Sequence, residues 1–366
     1  MHVRWLELSA FRNYAFLSFA PDPGLNVLIG RNGQGKTSLL EALHVLLTGR
    51  SFRTARLLEC VAWSAPEALV AGEIERGEER RQLRFTVLAR GGLEAKSAAC
   101  PWARAVAFTA ADLALLTGPP RVRRAYLDGA AAKLLPAHGE ACRRYHLVLQ
   151  HRGRLLGRLA GRADAERLLA PWDEQLAALG GEIVHRRIET LEALSQDTRQ
   201  IWGALGPDGA EMRLAYAPVV PPGPDVAATR ERLREALAGG RRQELARGVT
   251  LVGPHRDDLV VWLGEADARV YASRGEQRLL VLTLRLAEAG SVRRRLGLPP
   301  VLLLDDLLSE LDRGARERVL AQVAAEGQVF FSTTDAAVDV AAAGVAWEVR
   351  HGAVDAVDAV VAGGAA

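Results

Sequence analysis

The sequence predicts an α/β fold in two pieces, with an α-helical arm inserted between them. Three observations predict it. Near the N-terminus a glycine-rich loop, 30–37, sits between an apolar strand and a helix. Near the C-terminus Val301-Leu302-Leu303-Leu304 reads as a buried strand that runs straight into Asp305 and Asp306. Between them, from 121 to 248, leucine, alanine, arginine and glutamate recur at helical spacing.

Taken in order, two short strand-like runs flank Phe11-Arg12-Asn13-Tyr14 within 5–19. The strand Leu25-Asn26-Val27-Leu28-Ile29 then delivers Gly30-Arg31-Asn32-Gly33-Gln34-Gly35-Lys36-Thr37, which fits G-x-x-x-x-G-K-[ST]. A helix follows over 38–47, closed by Gly49. Strand, glycine loop and helix together aim a helix N-terminus at an anion, and glycine lets the backbone approach it closely. In such a loop Lys36 reaches the β- and γ-phosphates of a nucleotide and the Thr37 hydroxyl binds Mg²⁺. Lys36, Lys96 and Lys133 are the lysines among 47 basic residues, so a chain that prefers arginine keeps lysine here. The runs 68–75 and 82–88 predict a meander turned near Gly77, and 105–108 is a further apolar run. Gly118-Pro119-Pro120 marks the change to helix, with long helices expected over 134–159 and 172–202. A Pro/Gly break at 218–224 precedes a third.

After strand character returns at 249–252, the strand 301–304 ends in two carboxylates. A buried parallel strand ending in an acid is where nucleotide-bound Mg²⁺ sits, so Asp305 is the expected metal residue. Asp306 is placed to orient or deprotonate an attacking water. Ser273-Arg274-Gly275-Glu276-Gln277 opens an apolar-periodic helix. As S-x-x-E it is a capping box, which explains Ser273 and Glu276 but not Gly275. A second anion-binding helix start explains all three, and the two readings can coexist.

Composition bounds the partners. The 366 residues are 49% hydrophobic and 25% charged, the proportions of a soluble globular protein of about two domains. A net charge of +3 permits a nucleic-acid partner without demanding one. Cys60, Cys100 and Cys142 form no C-x-x-C, which argues against a disulfide framework or zinc site. The charged start, Met1-His2-Val3-Arg4-Trp5-Leu6-Glu7, is unlike a signal peptide, and no apolar run is long enough for a bilayer. A cytoplasmic protein without membrane contact is expected.

The order G-x-x-G-x-G-K-T, S-x-G-x-Q, hhhhDD and then Ser309-Glu310-Leu311-Asp312 resembles an ABC-type ATPase head: two lobes, a mixed sheet and flanking helices. Within that class the chain resembles the RecF family of bacterial recombination mediators. Phe11-Arg12-Asn13-Tyr14, Gly24-Leu25-Asn26-Val27, Gly253-Pro254-His255-Arg256-Asp257-Asp258 and Asp305-Asp306 through Asp312 carry the likeness, together with Gly118, Pro119, Arg123, Arg124 and Leu127-Asp128. The resemblance implies a head of 1–120 and 249–366 interrupted by a helical arm, 121–248. It implies ATP bound by the loop 30–37, by Ser38 and by Arg12, with Lys36 and Asp306 as the catalytic pair. It further implies a homodimer in which Ser273–Gln277 close over the partner's ATP and Ser309, Glu310, Leu311 and Asp312 line the seam, with hydrolysis releasing the two heads. Weak, DNA-stimulated hydrolysis is expected, because Asp306 stands where ABC proteins usually carry glutamate. The switch histidine is also missing, with Thr334 or Asp335 as substitutes, and 108–112 is the candidate for the Q-loop position. The implied partners are gapped DNA at single-strand/duplex junctions, RecR and RecO. The implied role is in DNA replication and repair and the SOS response, helping to load the recombinase on SSB-coated gaps.

Residues 121–250 carry a charge of +5 against −2 for the rest. Arg143, Arg144, His151, Arg152, Arg154 and Arg158 crowd one predicted helix, where Arg144, His151 and Arg158 share a face. A solvated surface is one account of this charge. Phosphate contact through Arg144, Arg154 and Arg158, with Arg121, Arg123 and Arg124 at the arm's root, is the other. Three alternatives remain in view. The head of another SMC-type repair ATPase would carry a far longer arm than these helices, which span only ~40 Å at 1.5 Å per residue. A transporter's ATPase subunit would lack the inserted arm. A small-molecule P-loop kinase would lack the Ser273 element.

Overall fold

The computed structural model describes residues 1–90, 93–95, 100–207, 210–308, 311–335 and 344–357. Two compact units emerge, Met1–Asp112 with Glu288–Ala366, and Leu113–Ala287. The first begins with β1 (His2–Phe11), β2 (Tyr14–Phe19), β3 (Leu25–Ile29) and helix α1 (Lys36–Thr48). It continues through β4 (Glu67–Arg76), β5 (Glu79–Leu88), β6 (Leu93–Ala95) and β7 (Ala105–Phe108). The second unit holds α2 (Ala114–Thr117), α3 (Pro120–Leu134), α4 (Ala137–Leu159), α5 (Ala165–Leu205), β8 (Met212–Ala217) and α6 (Val226–Arg247). Next come β9 (Asp258–Leu263), β10 (Ala266–Asp267), α7 (Ala268–Tyr271) and α8 (Arg274–Leu296), whose last turns re-enter the first unit. That unit closes with β11 (Val301–Leu304), α9 (Arg313–Ala324), β12 (Val329–Thr333), β13 (Gly344–Arg350) and β14 (Ala353–Val357).

In the first unit a six-stranded sheet runs β14-β13-β3-β12-β11-β7. From β13 to β7 every neighbour is parallel, and only the edge strand β14 is antiparallel. Sheets covered on both faces use continuously apolar strands, and β11 is Val-Leu-Leu-Leu, wholly buried. Asn26 is the polar exception in β3. Its amide donates to Asp22 O at 2.8 Å, and its oxygen accepts from the Asp22 amide and the Trp347 indole. The order sets β12 between β3 and β11, so the loops at their carboxyl ends meet. A second, antiparallel sheet runs β2-β1-β4-β5-β6. Its β4–β5 hairpin turns at Gly77, where φ is +57°, and both strands extend further than the charged residues of 76–81 suggest.

In the second unit α4, α5 and α6 pack around Tyr145, Val148, Leu176, Ile183, Leu233 and Leu237. Arg152, expected among the surface arginines, is fully buried and forks Asp173 and Glu244 at 2.6 Å each, with Thr250 Oγ1 accepting at 2.8 Å. Helix α5 starts at Ala165, ahead of the expected 172, and carries Pro171 inside it. The arm is also not all helix. Strand β8 pairs antiparallel with β9 from Met212↔Leu263 to Ala217↔Asp258, which ties the segment after 249 to the arm. The compact division at 113 and 287 therefore differs from the expected limits of 121 and 248.

Candidate phosphate-binding site

The loop 30–37 leaves β3 and enters α1 through two glycines with positive φ, Gly33 at +81° and Gly35 at +122°. A side chain at Gly35 would be strained by that backbone, and its Cβ would lie 2.6 Å from Asn13 Nδ2 and 2.9 Å from Tyr14 Oη. Those neighbours clasp the loop: Asn13 Nδ2 donates to Gln34 O at 3.1 Å and Tyr14 OH to Gly35 O at 3.0 Å. From the other side the β13–β14 turn donates its His351 amide to Gln34 Oε1 (2.8 Å) and its Gly352 amide to Gln34 O (3.2 Å). The Gln34 and Gly35 carbonyls are thus spoken for. No side chain caps α1 and no acid sits in its first turn, so its leading N–H groups are left for an anion.

Lys36, almost fully buried, donates through Nζ to Gly30 O at 2.5 Å and Arg31 O at 3.0 Å. Burial pushes its pKa below the ordinary lysine value, and the nearby charges of Asp305 and Asp306 act in the opposite direction. The Thr37 hydroxyl donates to both oxygens of Asp305, at 3.0 and 2.9 Å. Ser332 on β12 donates to Asp305 Oδ1 at 2.7 Å and accepts from the Asp306 amide at 3.0 Å, tying the strand ends together. Asp306 takes a φ of +49°, uncommon for a residue with a side chain. Hydroxyl and carboxylate are hard oxygen donors, so Thr37 and Asp305 fit Mg²⁺. These groups line a cleft of about 670 Å³, within the range of ligand pockets, whose wall also includes Arg12, Asn32, Arg53, Glu59 and Trp63.

Arg12 stands on this wall with its charge already engaged. Its guanidinium forks Glu41 at 2.8 and 2.7 Å and donates to Glu59 O. Burial opposes ionisation of Glu41, but Arg12 and Ser51 bind the carboxylate and hold its pKa below the usual range. Glu41, Ser332 and the 351–352 turn are site residues that motif reading missed. A lone acid in the otherwise apolar face of α1 was the available signal for the first of them.

Within the second unit, Ser273 and Glu276 form the reciprocal cap. The Ser273 amide donates to Glu276 Oε2 at 2.8 Å, and the Glu276 amide to Ser273 Oγ at 3.3 Å. A Cβ added at Gly275 would meet nothing within 4 Å, so the capping box leaves this glycine unexplained. Arg274 is exposed, and Gln277 Nε2 donates to Ala272 O at 3.0 Å. Ser309 and Glu310 lie outside the described residues. Leu311 is buried, and Asp312 caps α9 by accepting from the Ala315 amide at 2.8 Å.

One expectation needs correction, that for Arg123. Ser38, expected among the ATP-binding residues, is buried in the first turn of α1 and borders the cleft with little side-chain surface. Arg123 is not a surface arginine: it is 2% exposed, forks Asp258 at 2.8 Å twice and donates to Gly118 O, so it cannot reach a phosphate outside. Asp335 ion-pairs with Arg316 at 3.1 Å, and the side chain that reaches Asp305 from the strand before it is Ser332.

The remaining positions fall as follows. In 108–112, Ala110 lines the cleft and Phe108 O accepts from the Asp305 amide at 2.9 Å. Arg121 is exposed, and Arg124 is partly buried, donating to Asp257 O at 2.7 Å. On α4, Arg144, Arg154 and Arg158 are exposed and make no ion pair among the described residues, whereas Arg143 pairs with Glu140. The Gly253-to-Asp258 motif is a structural knot: Asp257 accepts from Tyr216 OH and the Val219 amide, and His255 bonds Tyr145 OH at 2.7 Å.

The family pattern described as RecF/RecN/SMC N terminal domain matches residues 2–349. The chain is 38% identical over 346 residues to the DNA replication and repair protein RecF of Heliobacterium modesticaldum, covering 91% of this chain and 92% of that protein. To its counterpart in Anaeromyxobacter sp. it is 40% identical over 348 residues, covering 92% and 93%. Among solved structures it is similar to the recombination mediator protein RecF with ATP, of the RecFOR pathway. That match has a TM-score of 0.86 and 27% identity over 98% of each chain.

Proposed function

This chain belongs to the RecF family, and on that premise we propose that it is an ATP-dependent, DNA-binding recombination mediator acting in the repair of single-strand gaps. The observation that carries the ATP reading is the meeting of Thr37 with Asp305, 268 residues apart in sequence, beside a clasped phosphate loop. The loop amides and the start of α1 bind the phosphates, and Lys36 exchanges its two loop carbonyls for phosphate oxygens. Mg²⁺ held at Thr37 and Asp305 would neutralise charge on the β- and γ-phosphates. Asp306 orients the attacking water, and its side chain, one methylene shorter than glutamate, supports slow turnover. The protein is then an ATP-governed switch.

Ser273 and the open face at Gly275 are read as closing over the ATP of a second copy, with Ser309–Asp312 along the seam. A Cβ-free position with open space before it suits the approach of a phosphate better than it suits the cap alone. Arg144, Arg154 and Arg158, with Arg121 and Arg124, are read as contacts to duplex phosphates, which steer binding by charge rather than sequence. RecR and RecO are the expected protein partners. No helix among the described residues is long and apolar enough to cross a membrane.

The test is the solution mass with ADP, with ATP, and with ATP plus a gapped duplex, for the wild type and Ser273→Arg. A dimer that requires ATP, is strengthened by DNA and is lost in the variant supports the reading. A monomer under every condition overturns the cross-subunit role of Ser273.

A further inference from the structure

Arg121 and Arg124 stand three residues apart at the start of α3, a spacing that makes them neighbours on one face. Both line a cavity of about 210 Å³ within the second unit. That is below the roughly 300 Å³ at which pockets for drug-sized molecules begin, so the space suits a small group.

The wall of this cavity is unbalanced in charge. Three guanidiniums, Arg121, Arg124 and Arg187, face one carboxylate, Asp128. Arg187 forks Asp128 at 2.8 and 2.9 Å, which closes that pair. His255 and Cys142 on the same wall add no charge near pH 7: burial lowers the histidine pKa to about 4 and raises the thiol to about 12. Asp257 and Asp258 are engaged elsewhere, the first by Tyr216 OH and the Val219 amide, the second by the fork of Arg123. Arg124 is left with the Asp257 carbonyl, at 2.7 Å, and Arg121 has no hydrogen-bond or ion-pair partner among the described residues. Charge withdrawn from water is normally paired, and here Arg124 meets the like charge of Arg187 instead.

The mount is rigid. Gly253 takes a φ of +124°, and a Cβ there would lie 2.3 Å from Tyr145 Oη. The turn that follows sets Pro254 and His255 into the wall, with Pro254 O accepting from Arg187 at 2.7 Å and His255 bonded to Tyr145 OH. The Gly253-to-Asp258 motif therefore shapes a cavity as well as a knot.

We propose that this cavity receives one phosphate dianion, either orthophosphate or the phosphorylated end of a nucleic-acid strand. Such a group carries close to two charges at neutral pH, which matches the two unpaired guanidiniums, whereas a phosphate inside a strand carries one. Guanidinium forks also fit phosphate oxygens in shape. The proposal goes beyond the DNA reading, which gives Arg121 and Arg124 the backbone of a duplex.

The test is calorimetric titration of orthophosphate into the full chain, with Mg-ADP saturating the glycine loop, for the wild type, Arg121→Ala and Arg124→Ala. One site is expected, weakened roughly 10- to 150-fold in either variant, the worth of a charge-assisted contact. Arg121 has no protein partner to lose, so its replacement probes the site without disturbing the fold. Absence of binding, equal binding by the wild type and Arg121→Ala, or heat reproduced by sodium chloride at the same ionic strength overturns the proposal. A second arm compares duplexes whose strands end in phosphate or in hydroxyl. A preference for phosphate ends that Arg121→Ala abolishes identifies the strand end as the source. Equal binding of the two duplexes, beside an Arg121-dependent orthophosphate site, identifies the free anion.

Discussion

The Thr37 hydroxyl donates to both carboxylate oxygens of Asp305, at 3.0 and 2.9 Å, across the carboxyl edge of one sheet. The pair gathers the two oxygen types that a small hard cation takes. Asp305→Asn keeps the shape and removes the charge. It should lower ATP hydrolysis by roughly 10²- to 10³-fold, a cation's several kcal/mol of charge stabilisation. It should also abolish the Mg²⁺ dependence of ATP affinity. Titrations of ATP with and without Mg²⁺ check this, and an undiminished Mg²⁺ effect would place the metal elsewhere.

Arg12 and Glu41 test whether the clasp on the loop is structural. Glu41 is fully buried, so Arg12→Ala leaves a carboxylate without its fork. Ser51 and a longer ion pair to Arg53 remain on Glu41, so the loss is that of a charge-assisted fork, about 1.5 to 3 kcal/mol. Denaturant melts of Arg12→Ala should show that loss. A variant of wild-type stability with weakened ATP binding would make Arg12 a direct ligand residue.

His255 predicts a dependence on pH. Burial lowers its pKa to about 4, with the positive charges of Arg256 and Arg124 adding to the effect. The unfolded chain binds a proton on histidine near pH 6.5, well above the folded value, so acid favours unfolding. Its contribution is complete above pH 6.5 and declines as pH falls toward 4, by about 3 kcal/mol in all. Unfolding free energies between pH 7 and 4.5 should fall less steeply in His255→Gln than in the wild type.

The arm arginines separate into two kinds. Replacing exposed Arg144, Arg154 and Arg158 with alanine should weaken duplex binding for every sequence and reduce the salt slope by about 3. Arg123→Ala should instead lower the melting temperature, because it empties a buried site and leaves Asp258 only the longer ion pair to Arg269. Anisotropy titrations across salt concentrations distinguish these outcomes, and an unchanged slope for the triple variant would clear α4 of phosphate contact.

Gly275→Ala should fold as well as the wild type, since its Cβ meets open space and alanine suits a helix better than glycine. If the position faces the partner's nucleotide, ATP-dependent dimers should nevertheless be lost. Sedimentation of the variant with ATP decides it.

The phosphate loop, the Asp305 strand and the Ser273 cap were legible because each is written in a few consecutive residues. What escaped depended on distant partners. Arg123 and Arg144 look alike in sequence, and only Asp258, 135 residues away, buries the first. That 258–263 belongs with the arm follows from β8 finding β9, a pairing no local pattern announces. Helix α5 runs back through Pro171 to Ala165, where the rule that proline ends a helix places its start too late. Ser332 was hidden because a serine in a buried strand carries no signal until β12 is seated beside β11.

Strand β3 is made on the ribosome some three hundred residues ahead of both of its neighbours, β12 and β13. A nascent chain therefore carries its glycine loop through that stretch of synthesis with neither neighbouring strand to hold it. Closing a loop of some three hundred residues is slow. Competence to take up nucleotide should then arrive only once β12 and β13 are made, and a copy terminated before them would lack the sheet that seats its phosphate loop.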